Sequence, residues 1–490
     1  MKTRALIFGF LLCCFALNAQ PKVKEFVTDE YNRNSVSYII VDRNDYYSSD
    51  INSFYNSMTI SSKFDVNSIP TKWFETNVAR PTVLSQTEVD YFVLKEKLGN
   101  EIIAYIYNRK ADGSFDDRII TQRGQYNAVD QDVINTSVAK VSAMSLQWGE
   151  ALVNSSYVIV LDFYNLKVTS SSNSTSYSAF ASAYAYKIEA DQDVLYDFYS
   201  KAWADVTSSA EEKARARAAF DALNFKMTPV VTVTASGRSS GDSGSMVKAI
   251  NDAYESVVYE LENSISAWQT ATSIIQTRPL AAKIGKKEGV KNGSRFQAYS
   301  YKEDRNGNLQ SVKHGMVRAT VVSDNRGTAT GSTKPSLFYQ ISGAQNIKEG
   351  YVLKQKNDLK MGTTFGIGIS PFGFRVGLDM DYISKIGKRG CIVYPMVNVG
   401  VNFGDATLLD TMFGIGYGIP MTRFFELTPY ATVGGYTDIN SESWVGTAVE
   451  PGVRFAITFQ PIAIVVSGGY QLILEGYSGV DLKFGVKYTF

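Results

Sequence analysis

Gly241-Asp242-Ser243-Gly244-Ser245 sets a serine among small residues, an arrangement that could present a nucleophilic hydroxyl. Such a serine needs a histidine within hydrogen-bond reach to accept its proton. The one histidine, His314, lies downstream beside Gly315 in a turn-rich stretch and is expected at the surface. The pentapeptide therefore reads as a loop in which Asp242 or Ser243 caps the following helix. A zinc site would have to be built from carboxylates almost alone. Asp130/Asp132 and Asp191/Asp193 lack the glycine and closing glutamate of a calcium loop, and Gly285-Lys286-Lys287 lacks the glycine spacing and hydroxyl of a phosphate loop. Asp116 and Asp117 are paired carboxylates in sequence, but neighbours on a strand point apart. No catalytic, cofactor-binding or metal-ligating residue is assigned, no cofactor is implied, and the chain is expected not to be an enzyme.

The elements that would hold such groups point elsewhere. From Lys354 onward the chain reads as eight short strands alternating apolar residues with polar residues or glycine. In the last, Val480, Leu482, Phe484, Val486, Tyr488 and Phe490 share one face, and Asp481, Lys483, Gly485, Lys487 and Thr489 the other. The same period runs through Phe365–Ile369, Phe374–Tyr382, Val393–Phe403, Leu409–Ile419, Val449–Phe459 and Ile462–Leu474, and less cleanly through Leu427–Tyr436. One strand in roughly 16 residues suits transmembrane strands of about 9–11 residues, and an even count permits antiparallel closure. Arg375, Asp379, Asp381, Arg454, Asp481, Lys483 and Lys487 would meet inside as paired charges and fill the lumen, because ~8 strands leave no aqueous channel. Pro371-Phe372-Gly373, Gly404-Asp405-Ala406 and Gly476-Tyr477-Ser478 read as tight turns.

Met1 to Ala19 reads as a secretory signal peptide: Lys2 and Arg4 precede the apolar Leu6–Leu17, and Asn18-Ala19 offers a cleavage site. Leu11 and Leu12 ahead of Cys13 and Cys14 do not fit a lipidation signal. Cleavage would leave Cys391 as the single thiol, so no internal disulfide framework is expected. A net charge of +1 argues against nucleic acid as a partner. No later run of ~18 apolar residues suggests a membrane helix.

The remainder divides into an N-terminal α+β region (20–125), an α/β domain (126–283) and a small β-rich module (284–353), followed by the barrel (354–490). In the first, Val36–Val41 and Ile102–Tyr107 read as strands, Thr87–Leu98 as a helix stopped by Gly99, and Ala111–Ser114 as a hairpin turn. In the second, helical spacing runs from Val129 to Leu152. Tyr157–Val168, Phe180–Ile188, Val194–Trp203 and Met227–Thr234 read as strands, and Ser208 with Glu211 as a capping box. A last helix, Ser245–Trp268, would bury Met246, Ile250, Tyr254, Val257, Leu261, Ile265 and Trp268. In the third, Arg295–Lys302, Val317–Val322, Leu337–Ile341 and Tyr351–Leu353 would build a small barrel-like module with a turn at Asn306-Gly307. The fold class expected is multidomain: a periplasmic α/β (α+β) region and small β module, then an eight-stranded antiparallel transmembrane β-barrel.

Residues 354–490 resemble eight-stranded outer-membrane proteins of the OmpA and OmpX type, on the strand count, the alternation and the ending Gly485-Val486-Lys487-Tyr488-Thr489-Phe490. That resemblance implies localisation in the cell outer membrane, lipid as a partner and both termini in the periplasm; the short turns depart from the family's longer outer loops. The middle region resembles the periplasmic parts of CsgG- and FlgT-type envelope assembly proteins, on element order and the turn Gly289-Val290-Lys291-Asn292-Gly293. Residues 241–245 resemble the nucleophile segment of trypsin-like proteases, in which the histidine precedes the serine. The expected role is a barrel anchoring a periplasmic domain that binds an envelope protein or peptidoglycan. The alternatives are a tethered hydrolase and a subunit of an oligomeric assembly or secretion complex.

Overall fold

The computed structural model describes residues 33–127, 151–171, 174–190, 192–241, 244–303, 309–326, 334–343, 346–459, 461–474 and 478–490. The expectations for the signal peptide, for most of the helix Val129–Leu152, for Asp130/Asp132, Asp191, Asp242 and Ser243, and for the turns at Asn306-Gly307 and Gly476-Tyr477 lie outside these residues.

Strand β1 (Ser35–Asp42) is buried from end to end until its last residue, because helices cover both faces of its sheet. It pairs in parallel with β2 (Asp65–Val66), β3 (Trp73–Glu75) and β4 (Ser156–Ser170), after which β5 (Thr175–Glu189) and β6 (Lys226–Ser240) continue antiparallel. One face packs on α1 (Ser48–Ser57) and on α7 (Met246–Ser264). The other packs on α2 (Gln86–Lys95), α3 (Leu98–Ile106), α4 (Asp117–Asn127), α5 (Gln192–Asp197) and α6 (Ala210–Ala222). The result is a three-layer sandwich. All seven residues of the expected stripe are buried, but the helix ends at Ser264, earlier than expected, and Ile265 and Trp268 are buried beyond it, where the chain makes a 3-10 turn at Ser266–Trp268. The helix reaches β6 closely at Gly237, where any Cβ would collide with the backbone of Ala249 and Ala253.

Several local expectations are corrected. Ile102–Tyr107 is helical rather than extended, since α3 buries Ile102, Ile103 and Ile106 along one side. Gly99 lies within α3, not after α2, and faces the Phe225 carbonyl at a distance that excludes a side chain. Ala111–Ser114 turns between two helices, not two strands. Val194–Trp203 forms α5 and a π-helical turn, Phe198–Ala202, that drives Phe198 into a cluster with Tyr107, Phe115, Trp203, Phe220 and Phe225. The capping box is Ser209 with Glu212, one residue later than expected.

A six-stranded closed barrel follows: β7 (Ala271–Thr277), β8 (Leu280–Ala282), β9 (Arg295–Glu303), β10 (Leu309–Val321), β11 (Ser336–Gln340) and β12 (Val352–Lys356), in the order β10–β11–β8–β7–β12–β9. Phe296, Val317, Phe338 and Leu353 fill it. Strand pairing crosses three of the expected divisions, the last at 353/354, where Lys354–Lys356 of β12 still pair with β9 of the small barrel. Ser35 of β1 lies opposite Ser156 of β4, so the sheet joins both sides of 125/126, and β7 and β8 belong with β9–β12 on the far side of 283/284.

The final unit is a closed eight-stranded antiparallel barrel: β13 (Met361–Ser370), β14 (Gly373–Tyr382), β16 (Ile392–Phe403), β17 (Thr407–Pro420), β18 (Phe425–Asp438), β19 (Ser443–Thr458), β20 (Ile462–Ile473) and β21 (Gly479–Thr489). β13 pairs with β21, and β14 with β16, closing the ring; the two-residue β15 (Lys385–Ile386) adds to β16. No helix among the described residues is long and apolar enough to cross a membrane.

Candidate functional site

The outer surface of the large barrel is its first functional feature. Phe365, Ile367, Phe413, Ile415, Phe455, Val466, Leu482 and Phe484 all point outward and exposed, while the alternate residues of the same strands are buried or half-buried. A belt of large apolar side chains around a closed ring is far larger than the patches soluble monomers show. Closure leaves no strand edge, so every backbone group within the belt is satisfied internally. These are the physical requirements of a lipid-facing barrel.

The inside is packed with paired charge. At the end next to the small barrel, Asp381 accepts hydrogen bonds of 2.7 Å from both Arg454 and Lys487. Both cations lie over the Tyr394 ring, whose hydroxyl donates to Glu426 at 3.0 Å. Toward the other end Arg375 donates two hydrogen bonds of 2.9 Å to Asp410 and a longer one to Asp379. Gly377 and Gly400 leave the space its guanidinium occupies. Lys483 sits between Asp481 (2.9 Å) and Glu450 (3.3 Å), and Gln471 donates to both carboxylates. All seven charged residues expected inside take part; Asp410 and Glu450, also on the inner face of the alternation, complete the network. Cavities of about 60 Å³ at the mouth and about 20 Å³ inside hold a few waters at most. The lumen is a plug.

The second feature is the junction. Arg318 of β10, fully buried, binds Asp358 and donates to the Gly293 carbonyl at 2.8 Å. Arg295 donates to the carbonyls of Asn357 (2.8 Å) and Thr489 (3.4 Å), tying β9 to the last residue of β21. The turn Gly289–Gly293 is the hub. Gly289 (φ +75°) and Gly293 (φ +83°) adopt left-handed backbone that favours glycine. Between them the Asn292 side chain exchanges two 2.9 Å bonds with the Ile386 backbone, and its carbonyl accepts from Lys360 at 2.7 Å. The same turn packs Gly289 against Lys63 of the sandwich, too close for a side chain. Lys63 pairs with Glu262 at 2.7 Å, and burial holds its pKa below the usual lysine value against that carboxylate. Asn34 donates to Ala267 and Ser62 to Lys286, so all three units are fastened together.

Within the sandwich, Arg43 forks onto both oxygens of Asp162 at 2.7 Å and donates to the carbonyls of Val78, Ala79 and Thr82. Asp162 also accepts from Leu84 N–H, and Arg80 binds Asp45 and the Phe163 carbonyl. Burial pushes the Asp162 carboxyl up, and Arg43 opposes it. This network clamps the loop before α2 to the end of β1 and the middle of β4. A single Asp inside the apolar run Tyr157–Phe163 is the sequence signal that could have revealed it.

The residues considered for catalysis do not converge. Ser245 is the N-cap of α7, accepting from Lys248 N–H. His314 is half-buried rather than exposed, because it stacks on Tyr351 and shares a 2.7 Å hydrogen bond with Ser300. Asp116 holds Arg118, and Asp117 opens α4. Among the described residues no three histidine, cysteine or carboxylate side chains gather as metal ligands.

One surface is open. β6 is an edge: among the described strands it pairs with β5 alone. Gly241 N–H donates to Thr175 in register with the β5–β6 ladder, so the odd-numbered residues bond to β5. Thr232, Thr234 and Ser236 therefore turn their backbone groups outward.

No protein-family model and no curated protein matches the chain. Among solved structures it is similar to a de novo designed transmembrane β-barrel (13% identity, 28% of this chain, 98% of that one, TM-score 0.20). It is also similar to the outer membrane protein Ail of Yersinia pestis in a phospholipid nanodisc (15%, 26%, 98%, TM-score 0.21), and to the designed barrel TMB2.3 (15%, 27%, 96%, TM-score 0.19). Ring closure and an outward-facing apolar belt give the large barrel its lipid-facing character.

Proposed function

We propose that the chain is a non-enzymatic outer-membrane protein whose plugged barrel anchors a sandwich domain in the periplasm, where the domain binds another envelope protein. The observation that supports this most is the junction. A barrel that carries no pore is fastened through Arg295, Asn292 and Arg318 to a small barrel, and through that to the sandwich. Such a linkage holds the sandwich at a fixed height above the bilayer, which an anchor requires and a freely diffusing enzyme does not. The open edge of β6 favours recruitment by strand addition, in which an extended partner segment pairs with the outward backbone groups.

Crosslinking the full-length protein in intact envelopes tests this. A protein partner should be captured, and Thr232→Pro with Thr234→Pro, which removes two outward N–H donors while sparing the pairing with β5, should lose it. Capture of peptidoglycan alone, or retention of the protein partner by the proline variant, would refute the strand-addition reading.

A further inference from the structure

The chain threads the large barrel so that its connections fall on two rims. Among the described residues, 383–391, 421–424, 459 and 461 lie on the rim beside the small barrel; 371–372, 404–406, 439–442, 474 and 478 lie on the opposite rim. Their exposed charges differ in sign among the described residues. The junction-side connections between barrel strands carry Lys385, Lys388, Arg389 and Arg423, and the Asp358 that precedes the first barrel strand is buried against Arg318; the opposite connections carry Asp405 and Glu442. Cations on one rim and carboxylates on the other give the barrel a charge asymmetry along its axis.

The basic side has a defined shape. Residues 383–391 form a hairpin whose tip is closed by Gly387 N–H to Cys391 and Gly390 N–H to Gly387. Ile386 is buried and held by Asn292, and Gly390 lies against the Tyr339 ring. That anchoring leaves Lys385, Lys388 and Arg389 exposed, and none of them forms an ion pair among the described residues. Exposed apolar side chains Met421, Phe424, Phe425 and Phe459 stand on the same rim, at the level where a barrel passes from hydrocarbon to headgroups. Cations beside an apolar belt complement a surface of lipid phosphates.

We propose that the Lys385/Lys388/Arg389 hairpin is a binding surface for anionic phospholipid headgroups of the leaflet facing the sandwich domain. The acidic opposite rim disfavours such lipids, so the pair of rims also biases the direction in which the barrel sits. The proposal rests on the membrane-anchor reading above. Each cation near an anionic surface contributes roughly fivefold in association, and the attraction is screened within about 10 Å at 0.1 M salt.

The test uses the mature protein folded into phosphatidylcholine bilayers. Spin-labelled phosphatidylglycerol and spin-labelled phosphatidylcholine are compared for association with it, and cold gel mobility reports the folded barrel. Phosphatidylglycerol should be preferred roughly fivefold or more. K385Q/K388Q/R389Q should reduce the ratio to near one at unchanged folding, as should about 0.5 M salt, whereas D405N/E442Q should leave it intact. A wild-type ratio near one, or a preference that survives the triple substitution, overturns the headgroup surface while leaving the anchor standing. Failure to form a barrel in any bilayer overturns both.

Discussion

Phe484→Arg separates a lipid-facing barrel from a soluble one by the size of a single number. Phe484 sits at the middle of β21, between Ile367 of β13 and Val466 of β20, and is 53% exposed. On a water-facing surface, arginine at a half-exposed site would change stability by about 0.5 kcal/mol or less. In a bilayer the same substitution near the midplane costs about 2–4 kcal/mol, falling to about 0–1 near the interfaces. The folded-to-unfolded ratio should therefore drop by roughly 30- to 1,000-fold for Phe484→Arg and by less than about tenfold for Val480→Arg, one strand end away. Urea titration of the protein in vesicles, followed by gel mobility without heating, measures both. Equal costs at 484 and 480, or no cost at either, would refute the lipid-facing assignment.

Other consequences concern the soluble units. Arg43→Met strands the Asp162 carboxylate in the sandwich core, and guanidinium unfolding should show a loss of about 3–5 kcal/mol. Arg318→Met removes the closest partner of Asp358 at the junction, and limited proteolysis should cut between β12 and β13 in the variant faster than in wild type. Burial raises the Glu288 carboxyl above its ordinary value of 4.5. The folded state thus binds that proton more tightly, a contribution present below pH 4.5 and lost as pH rises through the raised value. Glu288→Gln should accordingly melt above wild type at pH 8, with the gap closing near pH 4 in differential scanning calorimetry.

The barrel was legible because its signal is local: a period of two, repeated, with charge confined to one face, places each residue inside or outside without knowledge of its neighbours. The α7 stripe was legible for the same reason at a period near 3.6. What the sequence hid was non-local. The pairing of β1 with β4 links Ser35 to Ser156, and no composition shift marks a sheet that spans an insertion of helices. Ile102, Ile103 and Ile106 are β-branched residues that read as a strand, yet tertiary burial in α3 outweighs that preference. The Gly289–Gly293 turn was visible as a turn, but its role in joining three units depends on partners at Lys63 and Ile386. The Arg43–Asp162 clamp, formed across 119 positions, left only the lone aspartate in an apolar strand as a trace.

The most direct test of the anchor is heat-modifiability of the membrane-extracted protein on a denaturing gel. A closed barrel should migrate differently before and after boiling, and deletion of Val480–Phe490, which opens the ring on both sides of β21, should abolish the difference. Identical mobility with and without boiling, together with recovery of the intact chain in soluble fractions, would contradict it.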